Sequence, residues 1–421
     1  MTDVTEPTEQ PLDLLYSETE DDLRAAVRAL LADRAGHQTL LGRIETDSPY
    51  VPGVWKSLAA DIGAAGLLVP EKLGGQGASH REAAVVLEEL GRAVTPLPYL
   101  TSAVVATETL LALAGGSGAA AELLADLASG RAVAVLAVPL STAPDTGPQL
   151  AAATAAADGA GTAAGTGATG ASADAAVPAA TSTAGVATTS TAGVATTSTA
   201  GVAATSTAGV ADAAAADVFL VPRADGLYAV PAGEASVEPQ TPLDLTRPLA
   251  RVTTPAGSGT RLAGPEAGRA AVRRGLLAGA GLLASEQLGL AEWCLEETVR
   301  HTRERHQFNR PVGSFQALKH RMAQLWLDLV GARAAARAAA DALATGSEDA
   351  PLIVAVAQAY CSKVAVRAAE ECVQLHGGIG MTWEHPAHLV LKRAKSDQIA
   401  LGSAGRHQDA IAALVGLAPP L

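Results

Sequence analysis

The sequence predicts a mainly α-helical protein with a small β domain, in the order helices, strands, helices. Three observations support this fold class. Hydrophobic residues make up 48% of the 421 residues but aromatic residues only 3%, so Ala, Leu and Val must fill the core, and Ala and Leu favour helices. Amphipathic helical periods occur near both ends of the chain. Short apolar runs bounded by Gly, Pro and Asp lie between them.

The N-terminal part predicts helices separated by turns, and we assign residues 1–130 to a helical domain. Ser17 is placed to cap a helix over 18–32. A second helix is predicted over 54–65, followed by a loop rich in Gly and Pro. A third, over 81–92, has apolar residues on one side and glutamates on the other, as an amphipathic helix does.

The middle part predicts strands, and we assign residues 131–262 to a β domain. Short runs that are β-branched or apolar, and that end at Gly, Pro or Asp, are typical of strands. These runs lie at 131–139, 217–223, 226–231 and 242–255.

A low-complexity insertion interrupts this middle part at about 140–216. It contains four consecutive copies of an eight-residue repeat, TSTAGVA followed by one variable residue. The copies lie at 181–188, 189–196, 197–204 and 205–212, and their last residues are Thr, Thr, Ala and Asp in that order. The eight-residue period matches neither a solenoid unit nor a coiled-coil heptad. Because the insertion has almost no large side chains, it cannot bury enough apolar area to offset its ordering entropy. We therefore expect an expanded loop, with a β-solenoid or adhesive array as the alternative.

The C-terminal part, which we assign to residues 263–421, predicts a helical bundle. Four long periodic segments have lengths that suit antiparallel helices with short connections. They cover 267–304, 315–345, 350–376 and 384–415.

Composition and charge exclude several classes of function. The net charge of −13 argues against nucleic acid as a partner. The acidic N-terminal segment lacks the features of a signal peptide, and no apolar run suits a membrane span. The three cysteines show no disulfide framework, which fits a reducing compartment. We expect a cytoplasmic protein that binds neither nucleic acid nor membrane.

No metal site is expected from residue spacing. The cysteines do not occur at metal-ligand spacing, and no histidine pairs with a carboxylate at such spacing along the chain.

Two stretches contain the most specific residues. The first, 303–320, reads RERHQFNRPVGSFQALKH: it ends one helix, turns at Pro-Gly and begins another, and its Arg305 can offer a guanidinium to a phosphate. The second, 371–386, reads ECVQLHGGIGMTWEHP. It ends a helix on glycines, of which Gly377 and Gly378 permit positive φ and close approach of backbone N–H groups to an anion.

Together with VPEKLGGQG, VLEELGRAV, LDLTR and SEQLGLAE, these stretches resemble the acyl-CoA dehydrogenase family. The resemblance covers nearly the whole chain except about 140–216. It implies an N-terminal helical domain, a middle β domain and a C-terminal four-helix bundle, in agreement with the order above. It also implies FAD as cofactor, an acyl-CoA substrate, a homo- or hetero-oligomer with a related subunit, and an electron-transferring flavoprotein as acceptor.

The resemblance also implies which residues bind the cofactor. Arg305 and Gln316 match residues that contact the pyrophosphate and adenine side of FAD. Gln374, Gly377 and Gly378 match residues that contact the FAD of a neighbouring subunit. The family's loop beside the flavin ring is not recognisable, because the low-complexity insertion lies where it belongs.

The family's catalytic glutamate has no counterpart. Leu401 stands where that glutamate is expected, and Gly279 stands where other members place their base. Asp397, one helical turn before Leu401, is either a substitute base or a solvated helix carboxylate, and the second is favoured. The catalytic residue is therefore left unassigned.

Three hypotheses follow. The favoured one is the base-lacking subunit of a heteromeric acyl-CoA dehydrogenase that desaturates an acyl-CoA thioester at Cα and Cβ. The second is a dehydrogenase that is active alone through a base not yet identified. The third is a structural or scaffold descendant of the family that binds no flavin.

Overall fold

The computed structural model describes residues 14–46, 48–145, 198–199 and 202–417. Helices come first, two small sheets follow, and long helices complete the chain, so the predicted fold class is confirmed. One large apolar core joins both helical parts, and a second, smaller core lies between the sheets. The predicted domain boundaries near residues 130 and 262 stay predictions.

The N-terminal part contains short helices, and its first helix begins as predicted. The Ser17 side chain accepts the N–H of Glu20, and the Glu20 side chain accepts the N–H of Ser17. The helix predicted over 54–65 is broken into short turns, with Gly63 at φ +79°. A π-helical segment, Tyr99–Ala106, leads into the fifth helix. The helices are α1 (Glu18–Arg34), α2 (His37–Leu41), α3 (Val54–Lys56), α4 (His80–Ala93), α5 (Thr107–Leu111) and α6 (Gly118–Ala128).

Two of the glutamates on the predicted charged side of α4 do not face water. Glu88 and Glu89 are 0% and 2% exposed, because α1 packs over them. Glu88 accepts hydrogen bonds from Tyr16 and Arg24, both at 2.7 Å, and Arg28 pairs with Glu89 at 2.7 Å. Buried carboxylates are tolerated when they are paired in this way.

The middle part consists of two four-stranded sheets. In the first, β1 runs parallel to β4 and the order is β1–β4–β5–β8; the second has the order β2–β3–β7–β6, with antiparallel pairs. The strands are β1 (Ala134–Leu136), β2 (Ser198–Thr199), β3 (Val202–Ala211), β4 (Val218–Arg223), β5 (Gly226–Pro231), β6 (Ser236–Gln240), β7 (Leu249–Pro255) and β8 (Thr260–Ala263).

Strand β3 corrects the prediction that 140–216 is wholly an expanded loop. The last repeat copy, 205–212, lies almost entirely in this strand, and Val210 is fully buried. Thr207 pairs with Val252 of β7, and a bulge at Gly209, with φ +71°, follows. Small side chains suffice here because the neighbouring strand and core supply the apolar contacts. The prediction for 146–197 lies outside the described residues.

The C-terminal part consists of long helices and a short hairpin. The predicted single helix over 384–415 is wrong: the chain turns sharply at Leu401 and Gly402, whose φ values are +53° and +106°. The elements are α7 (Pro265–Glu304), β9 (His306–Gln307), β10 (Arg310–Pro311), α8 (Gln316–Thr345), α9 (Ala350–His376), α10 (Ala387–Asp397) and α11 (Ala404–Leu414).

The segment Ala350–Met381 is long and apolar enough to cross a bilayer, but 67% of its most apolar window is buried in the protein, as in a core helix.

Candidate functional site

The predicted cofactor residues all lie at one end of the helical bundle. Helices α8 and α9 are antiparallel, and an ion pair of 2.8 Å between Arg321 and Glu371 joins the start of α8 to the end of α9. The last turn of α7 reaches the same end, because the rings of His301 and His376 lie 4.3 Å apart. The connections between helices therefore gather residues that are distant in the sequence.

All five predicted cofactor residues are exposed at that end. Arg305 follows the last turn of α7, and Gln316 is the first residue of α8. Gln374 lies in the last turn of α9, and the two glycines follow it. The exposed residues are Arg305, Gln316, Gln374, Gly377 and Gly378.

The glycine turn after α9 is open on one side and tightly packed on the other. Gly377 has φ +64°, and a Cβ atom on Gly377 or Gly378 would meet nothing within 4 Å. A Cβ atom on Gly380, in contrast, would lie 2.6 Å from the Val373 carbonyl oxygen. The open side exposes backbone to a ligand. Exposed backbone N–H groups of this kind can donate hydrogen bonds to an anion.

The turn that carries Leu401 is fixed by two backbone hydrogen bonds. The Leu401 N–H donates to the Leu140 carbonyl at 2.7 Å, and the Leu401 carbonyl accepts from the His407 ring at 3.0 Å. Its side chain is 4% exposed and points toward α7, where a Cβ atom on Gly279 would lie 3.1 Å from Leu401 Cδ1. The two positions at which the family resemblance implies a base therefore face each other.

A small apolar cavity of about 30 Å³ lies beside Leu401. It is far smaller than a pocket for a small molecule, which has about 300–1,000 Å³. The lining carries no carboxylate, and its one polar side chain is the Thr101 hydroxyl. The lining residues are Leu100, Thr101, Val105, Val135, Leu136, Val138, Pro139, Leu140, Ala211, Leu276 and Leu401.

Asp397 is not the solvated helix carboxylate that the sequence favoured. It is fully buried and does not line the cavity beside Leu401. One of its carboxylate oxygens lies 3.2 Å from Arg247. Burial raises the pKa of Asp397 well above its ordinary value, and the negative charge of Glu286 adds to this effect. The carboxyl therefore belongs to a buried ionic network.

That network joins the middle part of the chain to α7 and α10. Glu286 on α7 accepts hydrogen bonds from Arg247 at 2.5 Å and from Arg393 at 2.6 Å. Arg393 also donates to Asp244 at 2.5 Å. Burial alone would raise the pKa of Glu286, but the two arginines hold it below its ordinary value.

The network residues were not identified as a group from the sequence. Two of the motifs, LDLTR and SEQLGLAE, supply Asp244, Arg247 and Glu286, but nothing in their spacing indicates that they meet. Because α10 carries Arg393 and Asp397 into the network, it fixes the start of the turn that holds Leu401.

Comparisons with known proteins agree with this architecture. The family model described as Acyl-CoA dehydrogenase, N-terminal domain, matches residues 17–131, and the one described as Acyl-CoA dehydrogenase, C-terminal domain, matches residues 266–416. The acyl-CoA dehydrogenase IpdE2 of Mycobacterium tuberculosis is 33% identical over 378 residues, which cover 88% of this chain and 89% of that protein.

Two solved structures have a similar fold. A chain of the ChsE4-ChsE5 complex from Mycobacterium tuberculosis superposes with a TM-score of 0.74 at 23% identity, covering 97% of this chain and 100% of that chain. A glutaryl-CoA dehydrogenase from Mycobacterium smegmatis, solved in complex with FADH2, gives a TM-score of 0.72 at 19% identity and covers 96% of each chain.

Proposed function

Because the chain belongs to the acyl-CoA dehydrogenase family of FAD-dependent oxidoreductases, we propose that it is the base-lacking subunit of a heteromeric acyl-CoA dehydrogenase. The family's reaction removes a proton from Cα and a hydride from Cβ of an acyl-CoA thioester, and bound FAD accepts the hydride. The proton requires a carboxylate base within hydrogen-bond reach. In this proposal a related subunit supplies that base.

The observation that carries the proposal is the packing around Leu401. A leucine cannot accept a proton, and Gly279 has no side chain to do so. The two positions pack against each other beside a cavity of about 30 Å³, which leaves no room for a reacting acyl group. In this proposal, this part of the chain is an apolar core and not a catalytic pocket.

The end of the bundle supports a retained role in cofactor binding. Arg305 and Gln316 would hold the pyrophosphate and adenine side of FAD. Gln374, Gly377 and Gly378 would reach the FAD of a neighbouring subunit. Their exposure in the single chain is what a site completed by a second subunit requires.

An exposed apolar patch on α8 and α9 supports assembly with a second subunit. Trp326 and Leu327 are each 57% exposed, and Val330 follows on the same helix. Val356 and Tyr360 are exposed on α9, and the Tyr360 ring reaches across to α8, so that the patch is continuous. Contiguous exposed apolar surface of this kind marks interfaces. The similarity to a chain of the ChsE4-ChsE5 complex supports a partner that is itself a related subunit.

Two alternatives make different predictions. A dehydrogenase active alone would need another base, but Asp397 is held in the ionic network and does not reach the cavity. A scaffold descendant would bind no flavin with any partner. We place the complex in the cytoplasm, where its buried free thiols stay reduced, with an electron-transferring flavoprotein as acceptor.

The test is to purify the chain alone and after co-expression with related subunits encoded beside it. We expect a heteromer with bound flavin and acyl-CoA dehydrogenase activity. A colourless protein under every co-expression would support the scaffold alternative. A flavin-containing homo-oligomer that oxidises an acyl-CoA would support the first alternative.

A matched pair of variants tests the interface. Leu327→Glu should prevent co-purification, because it places a charge in the apolar patch. Leu243→Glu, at a leucine that is 63% exposed outside the bundle, should leave the heteromer intact. If the two substitutions affect co-purification equally, the apolar patch is not part of the interface.

A further inference from the structure

A cluster of histidines with one glutamate lies inside the end of the bundle and has no part in the chemistry described above. Glu297 on α7, His376 at the end of α9 and His385 before α10 each offer one ligand atom, and these three atoms lie within 4.8 Å of one another. Sequence spacing did not indicate a metal site, because these residues are far apart along the chain. The helix packing brings them together.

We propose that Glu297, His376 and His385 form a binding site for a divalent cation of the Zn²⁺ type. Two imidazoles and one carboxylate are a ligand set that Zn²⁺ prefers, and such sites leave a fourth position for water. Glu297 Oε1 lies 3.8 Å from His376 Nε2 and 3.6 Å from His385 Nε2. Bonds of about 2.0–2.1 Å in tetrahedral geometry give ligand separations of about 3.4 Å. The two distances from Glu297 need only a small contraction, whereas the three atoms, which lie within 4.8 Å of one another, must close further between the histidines.

His376 is already oriented as a metal ligand. Its Nδ1 donates to the Cys372 carbonyl at 2.6 Å, which leaves Nε2 on the side that faces Glu297. A backbone carbonyl in this role is the usual support of a metal-binding histidine. The His376 side chain is fully buried, and its Nε2 has no hydrogen-bond partner among the described residues. A buried polar atom without a partner is costly unless a ligand satisfies it.

The other two ligands open onto solvent. Glu297 and His385 line a cavity of about 510 Å³, together with His37 and Trp293. An ion bound between Glu297 and His385 would therefore have His376 behind it and a position for water in front. This cavity also gives the ion a path of entry.

Two contacts must change when the ion binds. Arg300 donates to both carboxylate oxygens of Glu297, one of them at 2.9 Å, but its side chain is 55% exposed and also bonds Glu304 at 2.7 Å. It can therefore leave Glu297. His385 Nδ1 accepts the Ala387 N–H at 3.2 Å. This hydrogen bond breaks when Nε2 binds the ion, because the neutral imidazole then carries its proton on Nδ1.

The proposal does not depend on the acyl-CoA chemistry and is tested without measuring activity. Untagged protein, stripped with a chelator, is titrated with Co²⁺ in an absorption experiment and with Zn²⁺ by equilibrium dialysis. We expect one ion per chain, d–d bands of a low-coordinate Co²⁺ site, and a Zn²⁺-dependent rise in melting temperature. Failure to bind either ion, or binding without a defined stoichiometry, would overturn the site.

Variants of the three ligands sharpen the test. Glu297→Gln, His385→Gln and His376→Gln should each weaken Zn²⁺ binding at least about 10-fold, the scale of lost metal-site contacts. His320→Gln, at an exposed histidine, is the control and should bind as the wild type does. Should His376→Gln fail to fold, the two cavity-facing variants decide. Unchanged affinity in those two would show adventitious binding only.

Arg300→Gln gives a result of the opposite sign. Removing the guanidinium frees Glu297 and lowers the positive charge near the ion, so Zn²⁺ should bind at least about threefold more tightly. Weaker binding in this variant would contradict the proposed role of Glu297 as a ligand.

Discussion

Gly279 and Leu401 lie in contact across the interface between α7 and the turn after α10. A Cβ atom on Gly279 would approach Leu401 Cδ1 to 3.1 Å and Val105 Cγ2 to 2.6 Å. The glycine is thus needed for close packing. The family resemblance implies a carboxylate at one of these two positions. In this chain neither position has a carboxylate, and the Leu401 side chain packs directly against Gly279.

Gly279→Ala should therefore lower stability by about 1–3 kcal/mol through overpacking, although alanine favours a helix. Gly405→Ala in α11 is the matched control: no atom lies closer than 4.0 Å to its built Cβ, so the substitution should stabilise by about 0.5–1 kcal/mol. Denaturant unfolding measures both. A stabilising Gly279→Ala would show that the packing is loose.

Arg305→Ala should weaken FAD retention in the complex that binds it. Loss of a charged hydrogen bond costs about 1.5–3 kcal/mol, and the variant should release flavin on dilution. Arg303→Ala, at an exposed arginine two residues earlier in the last turn of α7, is the control. If both variants retain flavin as the wild type does, Arg305 does not contact the cofactor.

Asp212 should select which copy of the repeat forms β3. Its carboxylate accepts hydrogen bonds from Tyr50 at 3.0 Å and Thr101 at 2.8 Å, and the earlier copies have Thr or Ala at the matching position. A slip by eight residues keeps the side-chain alternation, so the sheet itself does not prevent it. Asp212→Thr should cost about 1–3 kcal/mol, the penalty for leaving buried partners unsatisfied.

The double variant Asp212→Thr/Tyr50→Phe separates this role from a general loss of packing. If Asp212 acts through Tyr50, the two substitutions should be clearly less than additive in denaturant unfolding. Additive losses would assign the effect of Asp212 to another contact.

Asp397→Asn should change how stability depends on pH. Because the folded-state pKa of Asp397 is raised, the folded chain keeps a proton that the unfolded chain releases above about pH 4. The contribution of the Asp397 carboxyl to the free energy of unfolding therefore falls as the pH rises above about 4, by at most about 1.4 kcal/mol per pH unit. The asparagine variant lacks this slope, so its stability relative to wild type should improve as the pH rises.

Denaturant unfolding at several pH values between about 4 and 8 measures the effect, with Asp409→Asn at an exposed position as the control. A difference between Asp397→Asn and wild type that stays constant with pH would mean that Asp397 is ionised in the folded chain.

Helices with strong local signals could be predicted from the sequence. Ser17 and Glu20 form a capping box that is visible as a pattern, and α7, α8 and α9 have long apolar periods. The turn at Leu401 could not, because a leucine at positive φ contradicts its local preference and is held by Leu140 and His407. Strand β3 was missed because its composition matches that of the other repeat copies.

The candidate site was predicted in part. The family resemblance led to Arg305, Gln316 and the glycine turn, and to the missing base at Leu401. The ionic network and the Glu297 cluster depend on contacts between helices that are distant in the sequence. Pairing of that kind leaves no periodic signal, so only the folded chain reveals it.

The central claim, that this chain supplies no catalytic base, is tested most directly by flavin reduction under anaerobic conditions. The wild-type chain, alone and supplied with FAD, is mixed with fatty, branched and steroid acyl-CoA thioesters while the oxidised flavin absorbance is followed. The co-expressed complex is the positive control. We expect rapid bleaching by at least one thioester in the complex and none with the chain alone, since a general base contributes about 10²- to 10⁴-fold. Rapid bleaching by the chain alone would contradict the claim.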